Sequence, residues 1–188
     1  MLRYLIGFII TIGLVILLIV LLFSGGGGTT KKVPTSGKAL DSYASTDAEV
    51  RLTIDGPINA EQNHRQAQIT VGRNSAVLNV IQGYNGTVVN QQNFANTEAG
   101  YSAFLHALEL VGFTRGDTSN SGLKTEAGHC PLGRRYIFEI IQGGKAIERF
   151  WATSCNGPHT YLGNVLTTIE LFQVQIPTYQ STAFPAGL

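Results

Sequence analysis

Two cysteines and two histidines are the residues whose types and spacing most readily suggest chemistry. His129 precedes Cys130, and His159 lies four residues after Cys155. Two thiolates and two imidazoles can bind zinc tetrahedrally, but adjacent histidine and cysteine are awkward ligands for one ion, and the usual spacing of two to four residues between cysteines is absent. We therefore predict a disulfide between Cys130 and Cys155 and no metal site, with a zinc site and free thiols as alternatives.

The segment between the cysteines predicts a β-hairpin, because two apolar runs flank the turn residues Gly143 and Gly144. A two-residue turn would place Glu139 opposite Glu148. A three-residue loop that begins at Gly143 places Glu139 opposite Arg149 instead, and this register is preferred because like charges directly opposite are unfavourable. Either register brings both thiols to the open end of the hairpin, where a disulfide stabilises by ~3 kcal/mol in the chain-entropy model.

No combination of residues predicts catalysis. The sequence contains no G-x-S-x-G and no H-E-x-x-H. Gly37-Lys38 is followed by alanine rather than by serine or threonine, so the phosphate-binding loop is not met. His64 and His106 are expected to be solvated. We predict no catalytic residue and no cofactor, and an enzyme of unrecognised type remains the alternative, because catalytic groups can converge from distant positions.

A cluster of large side chains around the cysteine hairpin predicts a binding surface. Its members are Arg134, Arg135, Arg149 and Trp151. Arginine and tryptophan dominate the energetics of many protein interfaces. The alternative interpretation is that the tryptophan belongs to the core and the arginines are solvated.

The elements that must position these residues begin with a membrane anchor. Residues 4–23 are a run of 20 residues without a charge, and a helix of this length spans the ~30 Å hydrocarbon core of a bilayer. The apolar region of a cleaved signal peptide is shorter, at ~7–15 residues. We predict an uncleaved signal anchor, with residues 1–3 as a cytoplasmic stub and the lipid bilayer as a partner through residues 4–23.

The rest of the chain divides into three predicted parts: a flexible Gly/Ser/Thr tether (24–48), an extracytoplasmic domain (49–176) and a C-terminal tail (177–188). Disulfides persist outside the cytosol, which favours the domain on the outer side of the membrane. From residue 49 onward we count nine Lys/Arg and ten Asp/Glu. This balance excludes the basic surface that nucleic-acid binding requires.

Hydrophobic periodicity predicts an α+β fold, with an antiparallel sheet and two helices packed on one of its faces. Beyond the cysteine hairpin, strands are predicted at 50–58, 66–72, 76–82 and 87–94. The first helix opens at Asn96 or Thr97 as N-cap. The second is predicted with Thr160 as its cap and an apolar face formed by Leu162, Val165, Leu166, Ile169 and Phe172.

A short echo within the chain predicts an internal pseudo-repeat. The letters VIQG at 80–83 return as IIQG at 140–143, and each precedes a hairpin turn and then a helix. A duplicated ββα unit would explain the echo, and coincidence between two similar units is the alternative.

Several segments together resemble a known family. They are the apolar run with its glycines, IDGPI, NHRQAQITV, GYNGTVV, FLHALELVGFT, CPLGRRYIFEI, RFWATSC and LFQVQIP. In these the chain resembles an uncharacterised family of small single-pass membrane-anchored proteins of ultra-small bacteria of the candidate phyla radiation. The resemblance implies an anchored protein and implies no activity.

These features predict a membrane-anchored extracytoplasmic binding module of the cell envelope, with an envelope or surface partner. A pilin-like filament subunit is a further alternative. It is disfavoured because four glycines follow the apolar helix where the spine of a pilin would continue.

Overall fold

The computed structural model describes residues 39–179. The predicted stub (1–3), the predicted transmembrane helix (4–23) and the first part of the predicted tether lie outside the described residues. Among residues 39–179, no helix combines the length and the apolar character needed to cross a bilayer.

Six strands form one antiparallel sheet in the order β4-β3-β2-β1-β5-β6. The first four strands follow one another as a meander, and β5 then returns to pair with β1, so β4 and β6 are the two edges. The strands are β1 (Glu49–Asp55), β2 (Arg65–Val71), β3 (Ser75–Gln82), β4 (Thr87–Ala95), β5 (Arg135–Gln142) and β6 (Lys145–Thr153).

Two helices cover one face of this sheet, α1 (Glu98–Leu110) and α2 (Val165–Gln173). Alternate strand residues such as Leu52, Ile69 and Leu78 are fully buried, because successive side chains of a strand point to opposite faces. Buried side chains from both helices join the same core cluster as these strand residues. The α+β fold with an antiparallel sheet and two helices is confirmed.

The two helix starts differ in how well the sequence predicts them. Thr97 caps α1, with its hydroxyl accepting from the Gly100 amide at 3.1 Å. The predicted cap of α2, Thr160, is wrong: Asn164 caps this helix by accepting from the Thr167 amide. Thr160 instead lies against the edge of β6, so the helix begins later than its apolar pattern suggests.

The later start also changes the buried face of α2. Ile169 and Phe172 are buried as predicted, whereas Leu162 is 36% exposed and Leu166 is 71% exposed. Val165, the first residue of the helix, is partly buried and packs against the core as predicted. Leu162 and Leu166 are thus the members of the predicted apolar face that are exposed.

The cysteine hairpin contains both of the registers considered from the sequence. Glu139 lies opposite Arg149, as preferred. A register shift between Ile140 and Ile141 then restores a two-residue Gly143-Gly144 turn. The β3–β4 hairpin shifts its register between Val80 and Ile81, which is 60 residues earlier. The two irregularities thus occupy equivalent positions of the VIQG and IIQG segments.

The packed part of the chain extends beyond the predicted domain of 49–176 on both sides. Leu40 and Tyr43, which belong to a short 3-10 helix (Leu40–Tyr43), are 1% and 6% exposed. Tyr179 is 3% exposed. Residues predicted as the end of the tether and the start of the tail therefore contribute to the core.

Candidate binding surface

The two cysteines lie at disulfide-bond distance, as predicted, with their Cα atoms 5.7 Å apart. The two histidines considered as zinc ligands have other contacts. The ring of His129 stacks on Trp151 with 4.9 Å between centroids, and Nδ1 of His159 lies 3.1 Å from the carbonyl oxygen of Gly157. The disulfide between Cys130 and Cys155 ties the segment that precedes β5 to the segment that follows β6.

Trp151, a member of the predicted binding cluster, is only 1% exposed. It points to the face of the sheet opposite the helices, where the loop 118–131 covers it. Its indole N–H donates to the carbonyl oxygen of Leu123 at 2.8 Å, and the ring of His129 covers it as described above. The geometry therefore supports the alternative interpretation, in which Trp151 is an interior side chain.

Arg135 is also buried, at 4% exposure. Its NH2 group lies 2.6 Å from Oδ2 of Asp55 and donates to the carbonyl oxygen of Gly56 at 2.6 Å. These bonds hold the end of β1 and the start of the β1–β2 connection. A guanidinium used in this way is not available to a partner.

The remaining two arginines do not restore an exposed cluster. Arg149 forms an ion pair with Glu126 of the covering loop, and its Nε lies 3.5 Å from Glu139. Arg134 is half-buried. The four residues of the predicted surface therefore do not form one exposed patch, because two of them are interior side chains and a third fastens the loop.

A buried polar cluster that the sequence did not predict surrounds His64. This histidine is fully buried rather than solvated. Nε2 lies 2.9 Å from Oδ1 of Asp55, close enough for an ion pair although the two atoms are not aligned for a hydrogen bond. Nδ1 lies 3.1 Å from the carbonyl oxygen of Pro57, and the ring of Tyr84 stacks on the imidazole at 4.2 Å. These contacts make the Asp–His pair a fastener of the β1–β2 connection, with the imidazole fully buried and the carboxylate 14% exposed.

The loop 118–131 covers the β5–β6 half of the second sheet face, and the β1–β4 half is left uncovered by the described residues. We call this uncovered half the open face. Most of its side chains are partly buried by their neighbours on the sheet, and those of Gln91 and Asn93 are exposed. The face includes Glu49, Arg51, Thr53, Gln66, Gln68, Thr70, Ser75, Val77, Asn79, Gln91 and Asn93.

A row of polar side chains crosses the open face from strand to strand. Thr53 lies opposite Gln68, Gln68 opposite Asn79, and Asn79 opposite Gln91. The amide of Gln91 donates to Oδ1 of Asn79 at 2.9 Å, and the amide of Gln68 approaches the hydroxyl of Thr53 at 3.4 Å. We call these four side chains the amide row. Each amide carries donors and an acceptor, so the row offers both to a ligand.

The open face carries little charge. On β1 it carries Arg51 and Glu49, whose charges are opposite in sign, and the Nε of Arg51 donates to the hydroxyl of Thr70 at 3.1 Å. The sheet thus presents hydrogen-bonding groups without a strong electrostatic field. Such a surface suits a neutral, hydrogen-bonding ligand better than a charged one.

Two cavities lie elsewhere in the described chain. One of about 340 Å³ lies beside the disulfide and is lined by residues that include His159 and Tyr161. The other, of about 380 Å³, lies at the end of α2 and is lined by residues that include Glu170 and Tyr179. Burial raises the pKa of Tyr161 and of Tyr179 to about 12. Both tyrosines are therefore neutral near pH 7 and are unsuited to act as bases there.

No protein-family model, curated protein or solved structure matches this chain. Its function is therefore inferred from its own residues.

Proposed function

We propose that the protein is a membrane-anchored binding module of the cell envelope that engages its partner outside the cytoplasm through the open face. The observation that carries this proposal is the amide row: four polar side chains aligned across four strands, on a face that the described residues leave uncovered. Binding groups on a rigid sheet need little ordering when a ligand arrives, and this lowers the entropic cost of association.

Two observations support the extracytoplasmic location and the anchor. Cys130 and Cys155 are paired, and disulfides persist in oxidising compartments. Residues 4–23 have the length and composition of a membrane-spanning helix. We infer a single-pass protein with its N-terminus in the cytoplasm and its domain outside.

The chemistry of the open face favours a neutral partner such as an envelope glycan or the backbone of a polar peptide. Amides and hydroxyls recognise such groups by hydrogen bonds, and binding of this kind depends little on salt because no ion pairs are screened. We also infer that the two hairpin-plus-helix units arose by duplication, since their register shifts lie 60 residues apart.

Titration of the full chain in lipid nanodiscs against neutral and anionic oligosaccharides and peptides tests the proposal. We expect neutral members of the panel to bind equally at low and high salt. The double variant Gln68→Ala/Asn79→Ala should weaken binding about tenfold or more, since each lost hydrogen bond contributes ~0.5–1.5 kcal/mol. The matched control is His106→Ala/Glu109→Ala on the exposed side of α1, which should bind as the unmodified chain does.

Binding confined to anionic members, or equal affinity of the two double variants, would contradict the role of the amide row. The topology is tested separately by labelling with a membrane-impermeant maleimide. A Ser119→Cys chain should react in intact cells, whereas a Leu2→Cys chain should react only after lysis. Labelling in the opposite order would place the domain in the cytoplasm.

A further inference from the structure

The outer edge of β4 is uncovered among the described residues. Thr87–Gln91 have no backbone hydrogen bond within residues 39–179 apart from those to β3, and their side chains are exposed. A strand in this position presents a row of peptide N–H and C=O groups that another strand can pair with.

Proteins usually protect such an edge with charges, proline or a covering segment. The nine residues of β4, TVVNQQNFA, contain neither a charge nor a proline. Their one irregularity is the register shift opposite Val80 and Ile81. The strand therefore lacks most of the features that discourage pairing with another chain.

The amide row ends at this edge. Gln91 uses one amide hydrogen for its bond to Asn79, and its second hydrogen and its oxygen have no partner within residues 39–179. An amide is complementary to a second amide, because each can donate to the other and accept from it. A second Gln91, placed directly opposite, would continue the row rather than end it.

We propose that β4 pairs with β4 of a second copy of this chain, antiparallel and about a two-fold axis at Gln91. An axis perpendicular to the sheet keeps the two open faces on the same side. It places Gln91 opposite its own symmetry mate, and Val89 of each copy opposite Asn93 of the other. The absence of charge on β4 removes the like-charge repulsion that opposes most self-pairing edges. The amide row then runs without a break through both copies.

Apolar surface adds to this pairing. Val88 and Val89 are 49% and 50% exposed on the same strand. Their exposed area decreases when a second strand lies alongside, and burial of apolar area contributes about 25 cal/mol per Å². The resulting assembly is a twelve-stranded sheet with two adjacent open faces, and it requires no change in the fold of either copy.

Thiol cross-linking of the full chain in detergent solution tests the pairing and its register. Cys130 and Cys155 are bonded to each other, so a single introduced cysteine is the one reactive thiol. Residues opposite one another in an antiparallel pair have Cβ atoms ~4.5–5.5 Å apart. Under mild oxidation we expect Gln91→Cys to form about tenfold more covalent dimer than Lys145→Cys, an exposed position on the opposite edge, because the latter has no partner strand.

A charge at the axis provides a second test that does not rely on cysteine. Gln91→Lys places two ammonium groups opposite each other, and we expect the dimer dissociation constant from analytical ultracentrifugation to rise about tenfold. Lys145→Gln, the matched control at the β6 edge, should leave it unchanged. Equal dimerisation of all these chains would assign self-association to another part of the molecule and overturn the proposal, whether or not the open face binds a ligand.

The rival occupant of this edge is the chain's own segment 180–188, because the hydroxyl of Thr178 donates to the side chain of Gln92 at β4. A chain that carries Gln91→Cys together with Ala183→Cys distinguishes the two occupants. Intermolecular dimer through position 91 supports pairing between copies. A rapid bond within one chain, at the expense of dimer, would show that the segment covers the edge and would contradict the proposal.

Discussion

The two edge strands of the sheet, β4 and β6, belong to equivalent hairpins but differ in how their outer edges are protected. On β6, the backbone N–H of Trp151 donates to the hydroxyl of Thr160, and its carbonyl oxygen accepts from the amides of Thr160 and Tyr161. Charged residues, Lys145, Glu148 and Arg149, stand on the same strand. On β4, within the described residues, neither a covering segment nor a charge is present along Thr87–Gln91.

The sheet surface next to β6 is covered, whereas the surface next to β4 is not. Over β5 and β6, the loop 118–131 is fastened by the disulfide and by the pair of Arg149 and Glu126. Over β1 to β4, the corresponding surface is the open face. The difference teaches that the interactions which hold a covering loop on this face are concentrated over β5 and β6, which leaves the surface over β1 to β4 accessible. We call β5, β6 and the segments packed on them, the loop 118–131 and residues 160–161, the sealed half. Substitutions there should affect folding, whereas substitutions on the open face should affect association.

The largest effect on stability is expected for Arg135→Ala. The truncation leaves the carboxylate of Asp55 buried beside His64 without its guanidinium partner. Breaking a buried ion pair costs about 3–5 kcal/mol. Urea denaturation of the full chain should show this loss, while the half-buried neighbour variant Arg134→Ala should lose about 1 kcal/mol or less. Equal losses would mean that the buried cluster is not a fastener.

Removal of the disulfide comes next. The double variant Cys130→Ser/Cys155→Ser should lose ~3 kcal/mol, because the crosslink no longer restricts the unfolded chain. The loop over Trp151, the single tryptophan, should also open more readily. We expect its fluorescence emission to shift to longer wavelength and its quenching by iodide to increase. An unchanged spectrum together with unchanged stability would contradict the sealing role of the bond.

Alkaline pH should destabilise the sealed half through its buried tyrosine. Burial raises the pKa of Tyr161 to about 12, above the value of about 10 in an unfolded chain. Between pH ~10 and ~12 the tyrosine is ionised in the unfolded chain but still protonated in the folded one. The free energy of unfolding is therefore unaffected by this group below pH ~10, and above it decreases by about 1.4 kcal/mol per pH unit.

The variant Tyr161→Phe separates this effect from others. It loses the hydroxyl that lies 2.7 Å from Thr168, so it should be less stable at neutral pH, yet its stability should decline less steeply above pH ~10. Denaturation curves at several pH values measure both quantities. An unchanged slope would assign the alkaline sensitivity to other groups, such as Tyr101, whose pKa burial also raises.

The smallest effect on stability is expected on the open face. Asn79→Ala removes the acceptor of the bond from Gln91, but both side chains remain accessible to water. The free energy of unfolding should change by about 0.5 kcal/mol or less. A loss comparable with that of the disulfide variant would mean that the amide row serves folding rather than association.

The sequence predicted the local features of this fold well. Strand alternation, the Thr97 cap and the opposition of Glu139 and Arg149 depend on neighbours within a hairpin or one helical turn, which the residue pattern reports. The pairing of Cys130 with Cys155 followed from the same hairpin. These are contacts whose partners are close along the chain or connected by one predicted turn.

The candidate site could not be predicted in the same way. Gln68 and Asn79 alternate with buried residues, but their alignment depends on the registers of three strand pairs. The sequence left two interpretations of Trp151 and Arg135 open, an exposed surface or the interior, because the residues that contact them, Leu123 and Asp55, are 28 and 80 residues away. Long-range contacts of this kind leave no local signal in a single sequence.

Hydrogen exchange of the two edge strands in the full chain tests the contrast between the halves most directly. In dilute solution, we expect the Trp151 amide to exchange slowly, because Thr160 accepts its hydrogen bond, and the amides of Thr87–Gln91 that point away from β3 to exchange rapidly. At high protein concentration, β4 alone should gain protection. Rapid exchange at Trp151, or protection of β4 that is complete and independent of concentration, would contradict an open edge beside a sealed one.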